Sequence, residues 1–140
     1  MREILFRGKS YNGEWVYGYF CPVCVGRLSV KPAIYPIDDM NDGYVYPVIV
    51  ISFTVGQCTG LKDKHGKKIF EGDIVKTKDG DIKEIIYKDY WGAFGAEYGL
   101  LFDKESGKYV KAHGGVHFYG DSQFYEVIGN IHDNPELLEE

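Results

Sequence analysis

The stretch that decides the fold is residues 57–76, which read QCTGLKDKHGKKIFEGDIVK. Two glycines in it mark changes of direction, Gly66 after His65 and Gly72 before Asp73. Glycine tolerates the positive φ angles of tight turns, and the residues after Phe70 are apolar and β-branched, as in a strand. The stretch therefore predicts a turn at His65-Gly66 and a bend at Gly72-Asp73 that directs Ile74 and Val75 into a core.

Short strands and turns continue on both sides of this stretch. Asn12-Gly13 favours a hairpin turn, Asp79-Gly80 predicts a further turn, and Asp103–Lys108 resembles a hairpin loop that links two strands. The last segment has Pro at the first helical position after Asn134. Prolines 22, 32 and 36 predict irregular structure or edge strands over Cys21–Ile37. The predicted elements are a strand at Glu14–Phe20 paired with Ile4–Arg7, a strand at Tyr44–Phe53 that is either buried on both faces or part of a subunit contact, strands at Ile69–Lys76, Ile82–Tyr87, Leu100–Phe102, Tyr109–Ala112 and Phe124–Ile131, and a short helix at Pro135–Glu139.

The composition is that of one globular, mainly β domain. Of 140 residues, 44% are hydrophobic and 26% are charged, which excludes disordered and fibrous proteins. Eighteen glycines with two Trp, twelve Tyr and eight Phe indicate short strands joined by tight turns. No stretch has the composition of a linker, so we predict a single domain over residues 1–140.

Net charge, cysteine content and apolar runs limit the class of protein and the compartment that the sequence is compatible with. The net charge of −5 argues against a protein whose whole surface binds nucleic acid. Three cysteines are too few for a disulfide framework, and an odd number cannot all pair. The stretch Met1–Lys9 lacks a signal-peptide core, and no apolar run reaches the roughly 20 residues of a membrane-spanning helix. We therefore expect a cytoplasmic protein without a membrane segment.

Two segments resemble the motifs of the YopX family of phage and prophage proteins. Residues 57–76 are similar to its signature, and residues 127–137, VIGNIHDNPEL, are similar to its C-terminal motif. Phe6-Arg7 with Trp15 also fits the family, whereas Ile49–Phe53 and Cys21-Pro22-Val23-Cys24 depart from it. The motif residues are Gln57, Gly60, Asp63, Gly66, Glu71, Gly72, Asp73, Gly129, Asn130, Asn134 and Pro135.

The resemblance implies a fold and a setting but no activity, because the function of the family is uncharacterised. It implies a mainly β fold with a small SH3-like barrel core at about residues 57–132, additional N-terminal strands and a short C-terminal helix. It also implies a phage or prophage origin, hence the cytoplasm of a bacterial host, and a tendency to form homo-oligomers. We expect the two motif segments to be neighbours in space.

A metal site is the first chemical possibility. Cys21 and Cys24 have the spacing of zinc ligands, but a zinc site needs two more, and the sequence offers no second pair. The remaining candidates are Cys58 and one of His65, His113, His117 or His132. His113 and His117 are separated by two glycines that disfavour a helix. We expect ordinary reduced thiols, no metal and no cofactor.

An acidic group is the second possibility. Asp63, Glu71 and Asp73, with Asn130, His132 and Asp133, could form a site for a metal-dependent hydrolase if the carboxylates converge. Turn capping and solvation are the more ordinary roles of such residues. The chain contains no nucleophile elbow, P-loop or zinc-peptidase motif. We expect a protein that is not an enzyme.

A basic patch is the third possibility. Six lysines lie between Lys62 and Lys78, against three acidic residues, and aromatic residues follow them. Lysines that contact phosphates beside aromatics that stack on bases form single-stranded nucleic-acid sites. The alternative is a solvated lysine face with the aromatics in a core or subunit contact. The candidate binding residues are Lys62, Lys64, Lys67, Lys68, Lys76, Tyr87, Tyr90, Trp91 and Phe94.

The aromatic excess without catalytic motifs favours a non-catalytic module that binds a protein or itself. Tyr and Trp are common at interfaces because their rigid rings bury much area at little entropic cost. The partner would be a host or phage protein or a second copy of the chain. A nucleic-acid-binding module is the first alternative, and a metal-dependent hydrolase is the second.

Overall fold

The computed structural model places most of the chain in β-strands and divides it into two compact units, Met1–Gly60 and Leu61–Glu140. Side chains are described for residues 4–37, 46–86 and 123–139. The backbone is described for residues 4–37, 46–88, 93–98, 100–103, 108–111, 116–117 and 122–139.

The first unit is built on antiparallel strands, which in the described residues follow the spatial order β6-β5-β2-β1-β7. A separate hairpin, β3–β4, pairs only with itself among these strands. Strand β7 continues into the second unit. The strands are β1 Phe6–Lys9, β2 Trp15–Phe20, β3 Val23–Val25, β4 Ser29–Lys31, β5 Ala33–Pro36, β6 Val48–Ile49 and β7 Gly56–Lys62.

The β1–β2 hairpin confirms the predicted pairing of the N-terminal segments. Phe6 lies opposite Gly18, and Gly13 has the positive φ of +89° that the turn requires. Gly18 is needed for another reason, since a Cβ at this position would lie 1.9 Å from the carbonyl oxygen of Tyr35 on β5. Glycine therefore lets β2 and β5 approach each other.

The first unit has buried apolar residues of its own. Its buried apolar residues include Leu5, Ala33, Ile34, Val50 and Cys58. One side chain also bonds backbone groups outside the sheet ladders. Thr54 Oγ1 accepts a hydrogen bond from the Lys9 amide at 2.8 Å and donates to the Ile51 carbonyl at 2.6 Å. This threonine fixes the short 3₁₀ helix Ser52–Thr54 against β1.

Two strand predictions in this unit are wrong. Within 44–53 the described strand is only β6, Val48–Ile49, which is half-buried at the sheet edge, and Phe53 in the following 3₁₀ helix is 75% exposed. Pro47 has no amide hydrogen to extend the ladder toward the N-terminus. Conversely, β5 is not an edge strand, because Pro32 lies just before it and Pro36 at its end, which leaves the intervening amides able to pair.

The second unit contains a sheet with the order β14-β11-β10-β9-β15 in the described residues. Strand β8 lies beside β7, and β12 pairs with β13 as predicted. Glycines 66, 72 and 80 have positive φ at the predicted turns and bend. The strands are β8 Lys68–Phe70, β9 Asp73–Lys76, β10 Ile82–Lys88, β11 Ala93–Tyr98, β12 Leu100–Asp103, β13 Lys108–Lys111, β14 Val116–His117 and β15 Glu126–Asn130.

The bend at Gly72 splits the predicted strand Ile69–Lys76 into β8 and β9 and turns Ile74 and Val75 inward. Both side chains are fully buried. The main apolar cluster consists of Ile69, Val75, Ile85 and Tyr125, with Leu61 and Val127 packed against it. Residues from β8, β9, β10 and the segment before β15 thus share one core.

The mainly β fold class is confirmed, but in the described residues no SH3-like barrel is found, and the predicted short C-terminal helix is not an α-helix. The five-stranded sheet there is open, because closure would require β15 to pair with a second strand besides β9. The C-terminal segment forms a 3₁₀ helix at Pro135–Leu138. Pro135 starts it as predicted, but four residues are too short for a stable α-helix.

Candidate functional site

The two motif segments lie side by side in the second unit, as predicted. Strand β9 of the first segment pairs with β15 of the second, with Asp73 opposite Asn130. The register shifts between Val127 and Gly129, which is a β-bulge. Beyond the strand, the Ile131 amide donates to the Gly72 carbonyl at 2.9 Å. Residues 57–76 and 127–137 therefore form one structural element.

Asp63 connects the two segments through its carboxylate. Oδ1 accepts hydrogen bonds from the amides of His65 and Lys67, each at 2.9 Å, and Oδ2 accepts one from the Val127 amide at 3.0 Å. Burial raises the pKa of Asp63, but these three amides and the nearby His65 outweigh it and hold the pKa below its ordinary value. Asp63 is thus an ionised, buried acceptor that organises the turn.

Asn130 and Asn134 organise the other end of the same element. The Asn134 side chain accepts a hydrogen bond from the Asn130 amide at 3.3 Å, and Asn130 Oδ1 accepts from the amides of His132 and Asp133. Gly129 lies against this turn, where a Cβ would be 2.6 Å from Asn134 Oδ1. A glycine at position 129 leaves room for the Asn134 side chain.

The acidic residues of the proposed hydrolase group also have structural partners. Asp73 is almost fully buried, and its Oδ2 accepts the Phe70 amide at 2.8 Å, which closes the bend between β8 and β9. Asp133 Oδ2 accepts from the Asn130 side chain at 3.2 Å. Among the described side chains, no group of three or more His, Cys, Asp or Glu residues could hold a metal ion. The remaining motif residues also lie in strands or at the bend. Gln57 lies opposite Phe6, Gly60 has a positive φ within β7, and Glu71 is half-buried at the bend.

The lysines of the basic patch are all exposed, in two turns of the second unit. Lys62, Lys64, Lys67 and Lys68 lie around the turn at Gly66, and Lys76 and Lys78 lie around the turn at Gly80. Glu126 forms ion pairs at 3.6 Å with both Lys64 and His65. The Lys78 ammonium group lies 5.5 Å from the centroid of the Phe124 ring.

The aromatic half of that predicted patch falls largely outside the described residues. Tyr90 and Trp91 lie outside them altogether. Tyr87 and Phe94 are directly opposite each other on β10 and β11, where only the backbone is described. His113 also lies outside the described residues, and His117 is described only as part of β14.

A second aromatic surface lies on the sheet of the first unit, and we call it the aromatic face. Cross-strand neighbours in an antiparallel sheet project from the same side, and so do alternate residues of one strand. The register places Lys9 opposite Trp15, Arg7 opposite Tyr17 and Tyr19 opposite Tyr35. The aromatic face therefore consists of Arg7, Lys9, Trp15, Tyr17, Tyr19 and Tyr35.

In the aromatic face, two cationic groups lie over the Trp15 ring, while two tyrosines are exposed to solvent. The Arg7 guanidinium lies 4.9 Å from the centroid of the Trp15 ring, and the Lys9 ammonium lies 5.9 Å from it. Arg7 is buried, whereas Tyr17 and Tyr19 are 41% and 50% exposed. Stacking on a cation restricts the Trp15 ring, so this part of the surface is ordered within the chain itself.

The candidate binding residues predicted from the sequence lie between Lys62 and Phe94 and do not include the aromatic face. The signal is present in the predicted strand Glu14–Phe20, where Trp15, Tyr17 and Tyr19 alternate with the small or apolar residues Val16 and Gly18. Alternation with period two predicts that the three rings share one side of a strand. The contribution of Tyr35 follows only from the pairing of β2 with β5.

In the part of the chain that the structure describes, no helix has the length and apolar character needed to cross a membrane.

Comparison with known proteins identifies the family. The chain is similar to the crystal structure of protein EF1440 from Enterococcus faecalis, with 29% sequence identity, a TM-score of 0.56, and coverage of 99% of this chain and 100% of that chain. None of the curated proteins matches it. The YopX protein family matches residues 27–139, which include both motif segments, while Phe6, Arg7 and Trp15 precede the match. Because this match covers most of the sequence, the chain belongs to the YopX family.

Proposed function

We propose that this YopX protein is a non-catalytic protein-binding module whose binding surface is the aromatic face of the first unit. It is encoded by a phage or prophage and acts in the cytoplasm of the bacterial host. The observation that carries the proposal is the exposure of Tyr17 and Tyr19 next to the Arg7–Trp15 stack. The partner is a host or phage protein, or a second copy of the chain.

The residue types on the aromatic face are those that contribute most to protein interfaces. Tyr and Trp are enriched among residues whose truncation costs the most binding energy, and the buried Arg7 contributes by holding the Trp15 ring. Tyr17 and Tyr19 each combine a large ring with a hydroxyl group, so they bury apolar area while keeping a polar contact. Lys9 supplies a cation beside the Trp15 ring, and charge contributes to the rate and specificity of association.

We propose a non-catalytic role because the acidic residues already accept hydrogen bonds from backbone amides in turns. The carboxylate of Asp63 accepts three backbone amides, and that of Asp73 accepts the Phe70 amide. If either carboxylate moved out of its turn to take part in a reaction, the backbone amides that it now accepts would lose their acceptor. These contacts favour turn formation over hydrolysis as their task.

Nucleic-acid binding is the second candidate function, because the six lysines at positions 62–78 are exposed and Phe124 offers an accessible ring beside Lys78. Lysines next to an exposed aromatic ring are the components of a single-strand site. Lys64 is engaged by Glu126, which reduces the positive charge available there. We therefore rank this function below protein binding.

A tagged pull-down from host lysate, with and without nuclease, separates the two candidates. We expect a stoichiometric protein that survives nuclease and is reduced at least tenfold by the double substitution Tyr17→Ser and Tyr19→Ser. The matched control is Tyr11→Ser, because Tyr11 is an exposed tyrosine in the β1–β2 turn outside the aromatic face. Light scattering on the purified chain shows whether a second copy is the partner.

Two results would contradict the proposal. Equal recovery of the partner by the double variant and by the Tyr11→Ser control would show that the aromatic face is not the binding surface. Recovery of nucleic-acid proteins that disappear with nuclease would favour the lysine patch, and affinity for single strands would then fall steeply with salt.

A further inference from the structure

The β3–β4 hairpin and the two residues before it, 21–31, form an exposed segment that we call the hairpin arm. Every residue in it except Val23 is exposed, whereas residues 32–37, which follow it, are buried or half-buried. The Cys21 amide donates to the Ala33 carbonyl at 3.0 Å, so the arm continues the ladder between β2 and β5. Among the described strands, β3 and β4 pair only with each other. The arm is therefore a two-stranded ribbon that extends past the end of the larger sheet.

Exposed apolar side chains lie on both sides of the hairpin arm and at its tip. Cross-strand neighbours project from the same side, so Val30 shares one side with Cys24, and Val25 shares the other side with Ser29. Val30 is 65% exposed, Val25 is 45% exposed, and Leu28 in the turn is 99% exposed. Adjacent exposed apolar side chains mark a contact surface. In this arrangement, only a partner that surrounds the tip covers all three.

The charged side chains of the hairpin arm are all positive. Arg27 lies beside Leu28 in the turn and Lys31 ends β4, and both are exposed. Residues 15–37 contain these two cations and no acidic residue, although the whole chain has a net charge of −5. Lys and Arg next to exposed apolar side chains are typical of segments that bind the surface of anionic membranes.

We propose that the hairpin arm binds the surface of an anionic phospholipid membrane and inserts Leu28 at the boundary between headgroups and acyl chains. Val25 and Val30 contact the same boundary from the two sides of the ribbon. Arg27 and Lys31 have long side chains, so their charged ends reach the lipid phosphates while their stems lie along apolar groups.

Other anionic partners fit the hairpin arm less well. A nucleic-acid groove is lined by phosphates and by hydrogen-bonding base edges, which would leave Val25 and Val30 without apolar contacts. An acidic peptide added as a strand would lie along one edge of the ribbon and leave the tip uncovered. A bilayer surface surrounds the tip and supplies apolar groups and phosphates together.

The backbone of the hairpin arm limits the depth of insertion. In the described residues, the outer edges of β3 and β4 have no neighbouring strand. Their peptide groups could not be satisfied within the hydrocarbon core, so the contact stays in the hydrated interface. Binding at this depth needs no membrane-spanning helix.

Flotation of the full chain with lipid vesicles tests the proposal. We expect the chain to bind vesicles made of equal parts of phosphatidylglycerol and phosphatidylcholine, and to bind phosphatidylcholine vesicles about tenfold more weakly. Raising the salt concentration should weaken the binding to the anionic vesicles. The exposed thiols of Cys21 and Cys24 are reporters within the arm, whereas Cys58 is buried. The anionic vesicles should slow alkylation of Cys24 by a water-soluble reagent.

Two changes in the hairpin arm should weaken vesicle binding. Leu28→Asp should reduce it about tenfold, because it replaces the inserted apolar side chain by a charge. Its control is Tyr11→Asp, which adds the same charge at an exposed ring in the β1–β2 turn. Arg27→Gln with Lys31→Gln should also reduce binding about tenfold. Its control is Lys67→Gln with Lys68→Gln, which removes two exposed lysines of the second unit.

Three results would overturn the proposal: no binding to the anionic vesicles, equal binding by Leu28→Asp and the parent chain, or an equal loss in the arm variants and their controls. Binding of the arm to duplex DNA without binding to vesicles would assign it to nucleic acid instead. The test is independent of the proposed function, because Tyr17→Ser with Tyr19→Ser leaves the arm intact and should bind vesicles as the parent chain does.

Discussion

Asp63 shows how one carboxylate can organise a motif. Its two oxygens accept amides from both motif segments, His65 and Lys67 in the first and Val127 in the second. The last contact spans 64 positions of the chain, so it forms only when β9 and β15 are paired. A residue that reads as a turn former in the sequence is therefore also a long-range connection.

The substitution Asp63→Asn should destabilise the protein at neutral pH by about 1–3 kcal/mol, because the amide nitrogen of Asn would face backbone donors. The substitution should also make the free energy of unfolding depend less on pH at acidic pH. The lowered pKa of Asp63 means that its contribution is complete above the ordinary pKa of a carboxyl group and is lost as the pH falls through the lowered value. Urea unfolding from about pH 7 to pH 2 measures both effects.

The matched control for this measurement is Asp79→Asn, which changes an exposed carboxyl group in the turn before Gly80. We expect its stability to stay within about 0.5 kcal/mol of the parent protein at neutral pH. If Asp63→Asn lost stability with falling pH as steeply as the parent does, the proposed role of the ionised carboxylate would be wrong.

At the scale of elements, β15 and the turn after it depend on a close approach between Gly129 and Asn134. Gly129 does not have a positive φ, so its role is spatial. The bulge between Val127 and Gly129 shifts the strand while Asp73 remains opposite Asn130. The side-chain oxygen of Asn134 then reaches the Asn130 amide and connects the end of β15 to the start of the 3₁₀ helix.

The substitution Gly129→Ala should destabilise the protein by about 1–3 kcal/mol, because its Cβ would displace the Asn134 side chain. Replacing Asn134 by Gly should cost less on its own, and the double variant should recover part of the loss, since the displaced atoms are then absent. Denaturant unfolding of the two single variants and the double variant gives this coupling. Strictly additive losses would show that the contact is not the cause.

At the scale of the whole molecule, the division into two units falls between Gly60 and Leu61, inside the continuous strand β7. Unfolding of either unit would therefore remove part of the same strand. We predict that residues 1–140 unfold as a single domain in one transition. Calorimetry should give a calorimetric enthalpy equal to the van 't Hoff enthalpy, and two separate transitions would contradict the single domain.

What could be predicted from the sequence is mostly local. The turns at Asn12-Gly13, His65-Gly66 and Asp79-Gly80 depend on glycine conformations that neighbouring residues select, and the alternation around Trp15 depends on the geometry of one strand. The mainly β class follows from the same signals. The extent of 44–53 as a strand was overestimated, because an apolar run does not reveal where hydrogen-bond partners are lacking.

The sequence by itself determined the fold class, the family motifs and the turns, because these depend on residue types and spacings within a few positions. Only the tertiary structure decided which distant residues meet. It joined Asp63 to Val127, assembled the aromatic face from β1, β2 and β5, and left the β3–β4 hairpin outside the larger sheet. Strand order and register arise from burial and hydrogen bonding summed over the whole chain, and no single segment carries that information.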